Sequence, residues 1–208
     1  MRKAAAVAAF AMLVVPLFSS AAVFRTGQQV ALMDTGTIAT DVYIASGAST
    51  VASSVAGDLL FAGGNVVSTG AVGQDVLAAG GNLNILGPVG DDVRFVGGNV
   101  TLGSVVTDDV VGAGGVIHVL GSARVGGDLT LAGGNIVIDA PVQGSVRLAG
   151  GTIIINSHIS GDVVVYGDKI ILGKKALLEK NFTYTSTREA ERAAGAMVRG
   201  KTDFHMRA

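Results

Sequence analysis

Along most of the chain, apolar residues occupy every second position in short bursts, and a pair of glycines interrupts each burst. Before the glycines, Val93 and Phe95 are separated by a single residue, as are Leu129 and Leu131, and Val146 and Leu148. After them the alternation resumes at Leu83 and Ile85, Ile136 and Ile138, and Ile153 and Ile155. A period of two belongs to strands, not to helices. A third apolar position recurs late in the unit, at Val72, Val89, Val106, Val142 and Ile159.

The unit itself returns every seventeen residues, from GDLLFAGGNVVSTGAVG through QDVLAAGGNLNILGPVG to GDVVVYGDKIILGKKAL. Asp41, Asp58, Asp75, Asp92 and Asp109 form an acidic column at that step. The column continues, after a two-residue insertion near Ser122-Ala123, at Asp128, Ser145 and Asp162. Glycine pairs such as Gly63-Gly64, Gly97-Gly98 and Gly133-Gly134 follow five residues later, and Asn65, Asn82, Asn99 and Asn135 follow the pairs. A fixed period with three residue types in register marks a repeat architecture.

Three short strands separated by tight corners make one coil of an all-β, right-handed parallel β-helix. Stacked at about 4.8 Å, its aliphatic residues form ladders along a dry interior. About nine such coils between Thr40 and Phe204 predict a rod on the order of 40 Å long. The glycine pairs suit a corner with positive φ or a close backbone approach. Other repeats fit less well. A propeller blade needs about 40 residues, and leucine-rich repeats need 20–29 with another consensus. The nonapeptide calcium roll has a period of nine, and a left-handed hexapeptide helix has three equal sixes.

Glycine contributes 31 of 208 residues, but proline only 3, and 49% of the chain is hydrophobic. That excludes a disordered Gly/Pro-rich polymer, and the glycine spacing excludes collagen. Cysteine is absent, so there is no disulfide, thiolate nucleophile or lipobox. The start of the chain follows a separate logic. Arg2 and Lys3 precede an apolar run from Ala4 to Phe18, and Ser19-Ser20-Ala21-Ala22 supplies small residues for cleavage. This is the pattern of a secretory signal peptide over 1–22, too short an apolar run to span a bilayer comfortably. The expected organisation is then a signal peptide at 1–22, an N-terminal cap segment at 23–40, the β-helix at 41–180, and a C-terminal coil with a basic tail at 181–208.

The GD-[LV]-x-x-A-GG-N-[VI]-x-[LI] coil, repeated without loops, resembles the bactofilins, a family of polymer-forming cytoskeletal proteins. More narrowly, the chain resembles an exported bactofilin-like group in which a signal peptide leads straight into VFRTG (Val23 to Gly27). That group closes its solenoid with YTS-x-[KR]-EAE, matched here from Tyr184 to Glu191. The resemblance implies a right-handed β-helix that assembles through its ends into filaments or membrane-associated scaffolds.

Candidate chemistry is sparse. Stacked carboxylates about 5 Å apart repel by roughly 1 kcal/mol per neighbour at the dielectric of water, and oxygen ligands alone would suit calcium. The simpler expectation is that each Asp accepts hydrogen bonds from corner amides. The Asn column is expected to be an amide ladder between coils. His118, His158 and His205 fall in different columns, so they do not form a zinc site. No GxSxG, HExxH or P-loop motif occurs. No catalytic residue, metal ligand set or cofactor site is therefore assigned.

Charge divides into two zones. Between Val30 and Val165 three arginines stand against eleven aspartates, a net of −8, whereas Tyr166 to Ala208 carries nine basic and five acidic residues, a net of +4. An Ala- and Glu/Arg-rich stretch, Thr187 to Met197, is expected to be helical and to cover the last coil. The expected function is non-enzymatic: an exported scaffold, periplasmic or on the cell surface, whose main partner is itself. A membrane or a cell-wall polymer is the second class of partner, and nucleic acid is not expected. The alternative is a monomeric surface β-helix that binds a polymer or cations along its acidic face.

Overall fold

The computed structural model describes residues 22–207, and most of the expected signal peptide lies outside the described residues. The first strands in order are β1 (Val23–Leu32), β2 (Thr37–Ile38), β3 (Val42–Val51), β4 (Ser54–Val55), β5 (Leu59–Ser68) and β6 (Val76–Ile85). Next come β7 (Val93–Leu102), β8 (Val105–Val106), β9 (Val110–Val119), β10 (Arg124–Val125), β11 (Leu129–Ile138), β12 (Val146–Ile155) and β13 (His158–Ile159). The series closes with β14 (Val163–Leu172), β15 (Leu177–Leu178), β16 (Phe182–Ser186), β17 (Glu191–Arg192), β18 (Met197–Val198) and β19 (Thr202–Met206).

Every pairing is parallel, and each long strand pairs with the equivalent strand of the next coil. The order β1-β3-β5-β6-β7-β9-β11-β12-β14-β16-β19 is one coil per strand, so the chain is a parallel β-solenoid of about eleven turns. The step between coils is seventeen residues where Val42 pairs with Leu59 and nineteen where Val110 pairs with Leu129.

The expected three strands per coil appear as three arms. Each ten-residue strand is two arms bent at the glycine pair: register runs through the first glycine, skips the second, and resumes at the following residue, as Gly80↔Gly97 then Asn82↔Asn99. The third arm is a two-residue strand or the single bridge at Val72, Val89 or Val142. None of the paired corner glycines has positive φ. Their requirement is close approach: a methyl group on Gly81 or Gly98 would sit 2.8 or 2.7 Å from the carbonyl oxygen of the glycine one coil below.

Alternation assigns the interior. Val42, Leu59, Val76, Val93, Val110, Leu129, Val146 and Val163 stack as one fully buried ladder, and Val55 to Ile159 on the third arm as another. A neighbouring ladder alternates in size: Phe61 lies over Ala78, Phe95 over Gly112. A side chain on Gly112 would collide with the Phe95 ring, so the small residue makes room for the large one.

Two expectations change. The solenoid has about eleven coils, not nine, because residues 23–40 continue the ladder: Val23 pairs with Val42 and Leu32 with Val51. The other extra coil comes from β19, which pairs with β16. Thr187 to Met197 is not helical. The Ala193 and Met197 amides donate instead to the Leu172 and Ala176 carbonyls of the coil below, and Gly195 turns the chain at φ 106°. The ladder outcompetes helix propensity because it offers each of these amides a tertiary partner.

Candidate functional site

The acidic column stands where each coil enters its first long arm, and its geometry is repetitive. The Oδ1 of each aspartate accepts the backbone N–H of its counterpart one coil on. Asp58 N–H donates to Asp41 (3.0 Å), Asp92 N–H to Asp75 (3.0 Å), Asp109 N–H to Asp92 (2.8 Å) and Ser145 N–H to Asp128 (2.7 Å). Asn181 N–H donates to Asp162 in the same way. The corner-amide expectation therefore matches the structure, and the carboxylates knit adjacent coils together. The Ser145 hydrogen bond, followed by Arg147, holds the Asp128 carboxyl below its ordinary range.

Around coils 4 to 6 the column thickens into Asp75, Asp91 and Asp92, and Asp92, Asp108 and Asp109, each trio with carboxylate oxygens within 4.8 Å. Much of their capacity is already committed. Arg94 donates to Asp75 Oδ2 at 3.2 Å and to Asp92 Oδ2 at 2.6 Å, while both Oδ1 atoms hold backbone amides. Asp108 is different. Chiefly the charge of Asp109 pushes its carboxyl up.

The asparagine ladder exists over three coils: Asn82 Nδ2 donates to Asn65 at 2.7 Å and Asn99 Nδ2 to Asn82 at 2.9 Å. It stops at Val116, which occupies the position before Asn135. The histidines do not converge. His118 Nε2 meets Asp139 at 2.8 Å, His158 Nε2 meets Glu179 at 3.0 Å, and His205 is exposed on β19. Although burial pushes the Asp139 carboxyl up, hydrogen bonds from Asn156 and His118 bring it below its ordinary range. Asn156 also accepts the Lys175 amide, making a second corner ladder, Asp139–Asn156–Lys175, that the sequence pattern did not reveal.

The ends are the second candidate. At the C-terminal end, Phe182 and Tyr184 lie 4.6 Å apart and Tyr184 and Phe204 5.0 Å apart, all stacked. Phe182 and Tyr184 are buried, whereas Phe204, in the interior register of β19, is only half-buried. Met206, further along β19, and Met197 on β18 are exposed. At the N-terminal end, Val23, Val30 and Ile38 are half-buried, and Arg25 occupies the register of buried Ile44. Among the described residues, no element covers the free edge of β1 or of β19.

A third feature also escaped the sequence pattern. The outer surface of the first long arm is a shallow apolar trough of about 950 Å³ running from Phe24 to Tyr166. Its signal was present in Leu60, Leu77, Val111 and Val164, apolar residues at positions that face away from the core. No family model, no curated protein and no solved structure matches the chain.

Proposed function

We propose that this chain is a structural protein of the bactofilin type, exported to the cell envelope, whose solenoids self-assemble through their ends. One observation carries the reading. The hydrophobic residues left half-buried against the core are Val23, Val30 and Ile38 in the first coil and Ala190, Ala196, Val198 and Phe204 in the last two. Coils between them are sealed above and below by their neighbours, so the interior opens only where stacking stops. Among the described residues, the outer N–H and C=O groups of β1 and β19 have no partner strand and offer the same edges to another strand.

The acidic column supports a structural role too, since one oxygen of each of its aspartates is spent on the next coil's amide. An end of one small coil buries little area, so each junction is weak and assembly depends on concentration. Sedimentation velocity over a concentration series tests this. The unmodified protein should associate, and Phe204→Glu should lower association while circular dichroism and the melt stay nearly unchanged. A strict monomer at every concentration would overturn the scaffold and favour a monomeric surface module.

A further inference from the structure

The outer face of the first arm is a surface that end-to-end assembly leaves unused. Phe24, Leu77, Val96, Val111, Val164 and Tyr166, half of the large hydrophobic side chains that stand exposed among the described residues, line it. Beside them runs a file of small residues, Ala62, Ala79, Ala132 and Ala149, each followed directly by a corner glycine. The larger Leu60, Leu77, Val111 and Val164 each come two residues after an aspartate of the acidic column. The trough is therefore a ledge of alanine and glycine with a taller apolar wall on its acidic side. Contiguous exposed apolar surface of this kind marks an interaction site.

The two long edges of the trough differ in charge. Beyond the glycine corner the neighbouring column is neutral, with Asn65, Asn82, Asn99 and Asn135. The opposite border is the acidic column. Arg94 and Arg147 on the face are already paired with Asp75, Asp92 and Asp128. Asp41, Asp58, Asp109 and Asp162 each give Oδ1 to an amide of the next coil, and among the described residues none has a cationic partner. Asp91 and Asp108 crowd the same border, and chiefly the Asp109 charge pushes the Asp108 carboxyl up. An apolar ledge thus runs alongside a row of carboxylates that lack cations.

The dimensions select the occupant. Nine first-arm strands stacked at about 4.8 Å make a trough on the order of 40 Å long and one arm, about 13 Å, wide. An α-helix is about 10–12 Å across and rises about 5.4 Å per turn, close to one turn per coil. About 25 helical residues span the length. Apolar residues at i, i+3, i+4 and i+7 lie on the ledge, and cations on one flank reach the aspartates. A second copy fits less well, because its face brings only Arg25 besides two arginines already paired. A bilayer fits less well too, because headgroup phosphates would meet the acidic border.

We infer that the first-arm face docks a cationic amphipathic helix of a partner protein lengthwise, its apolar stripe on the alanine ledge and the lysines or arginines of one flank against Asp41, Asp58, Asp109 and Asp162. The inference does not rest on end-to-end assembly. The probe is a synthetic peptide of about 25 residues, with leucines on one helical face and lysines beside them. Its binding to residues 22–208, which contain every core residue of the solenoid, is followed by fluorescence anisotropy. One control peptide carries glutamate for every lysine. Another has the same residues in an order without helical periodicity.

The lysine peptide should bind, and both control peptides should bind at least ~10-fold more weakly, a loss of about 1.4 kcal/mol. Leu77→Ser/Val111→Ser, which lowers the wall without changing charge, should lose at least ~10-fold with an unchanged circular dichroism spectrum. Ala79→Gln/Ala132→Gln, which fills the exposed ledge with polar side chains, should lose as much. Asp58→Asn/Asp109→Asn keeps the Oδ1 acceptors and removes two charges, so it should lose at least ~3-fold at low salt and less at high salt. Asp34→Asn/Asp139→Asn removes two charges at the corner between the second and third arms and should bind as before. Phe204→Glu should also bind as before, which separates this face from the ends. No binding of the lysine peptide, equal binding of either control peptide, unchanged affinity in the two face variants, or equal loss in Asp34→Asn/Asp139→Asn would overturn the inference. So would dimers, or binding to phosphatidylglycerol vesicles, that Leu77→Ser/Val111→Ser abolishes, giving the face to a second copy or to lipid.

Discussion

Replacing Ile138 by aspartate places a carboxyl in the interior of the seventh coil. Ile138 has no exposed surface and is stacked between Val119 and Ile155, with no polar side chain facing it in that ladder. Removing its buried hydrocarbon costs about 1.5–3 kcal/mol. The new carboxyl remains neutral there. Holding an Asp of ordinary pKa about 3.9 protonated at pH 7 costs about 4 kcal/mol more, at 1.36 kcal/mol per pH unit. The sum, about 6–7 kcal/mol, is comparable with the whole stability of a typical domain, about 5–15 kcal/mol.

The sign with pH follows from the raised folded-state pKa. The charge-related loss grows as pH rises above the unfolded value and vanishes as pH falls towards it, so the gap to the unmodified protein should narrow below about pH 5. Val137→Asp, one residue away and facing outward between His118 and Ile154, should cost much less. Thermal melts of the three proteins by circular dichroism at pH 7 and pH 4.5 decide it. Equal losses for Ile138→Asp and Val137→Asp, or a normal cooperative melt for Ile138→Asp at pH 7, would refute the register of the interior ladders.

Two neighbouring aspartates should respond in opposite directions. Asp92→Ala removes the acceptor of the Asp109 amide at 2.8 Å and should lower stability by about 1–3 kcal/mol in chemical denaturation, whereas Asp92→Asn, which keeps an acceptor oxygen, should lose less. Asp108→Asn should raise the melting temperature at pH 7, because the Asp109 charge chiefly raises the Asp108 carboxyl. That repulsion is present above the raised pKa and relieved as pH falls through it, so the gain should disappear in acid and shrink with added salt; a lower melting temperature at pH 7 would contradict it.

The solenoid was legible because a seventeen-residue period places like residues in columns whichever way the coil is wound. The Asp, Gly-Gly and Asn columns announced the corners, and alternation announced the buried positions. The first and last coils were not legible, because steps of nineteen and twenty residues, at Val23↔Val42 and Phe182↔Thr202, blur the period. Thr187 to Met197 was misread since helix propensity is local, while the carbonyls of Leu172 and Ala176 that capture it come from an earlier coil. The apolar trough was missed for a third reason. Leu60 and Leu77 alternate with the true core positions, and whether an apolar residue points in or out depends on where the corner falls. The Asp139–Asn156–Lys175 ladder uses three residue types and an insertion, so no single-letter column gave it away.

Electron microscopy of residues 22–208 over a concentration series tests end-to-end assembly most directly. Eleven coils at about 4.8 Å give a single rod about 50 Å long. Rods should keep the width of one solenoid while their lengths rise with concentration in multiples of about 50 Å, and should return to single rods in Phe204→Glu. Rods of one length at every concentration would contradict it.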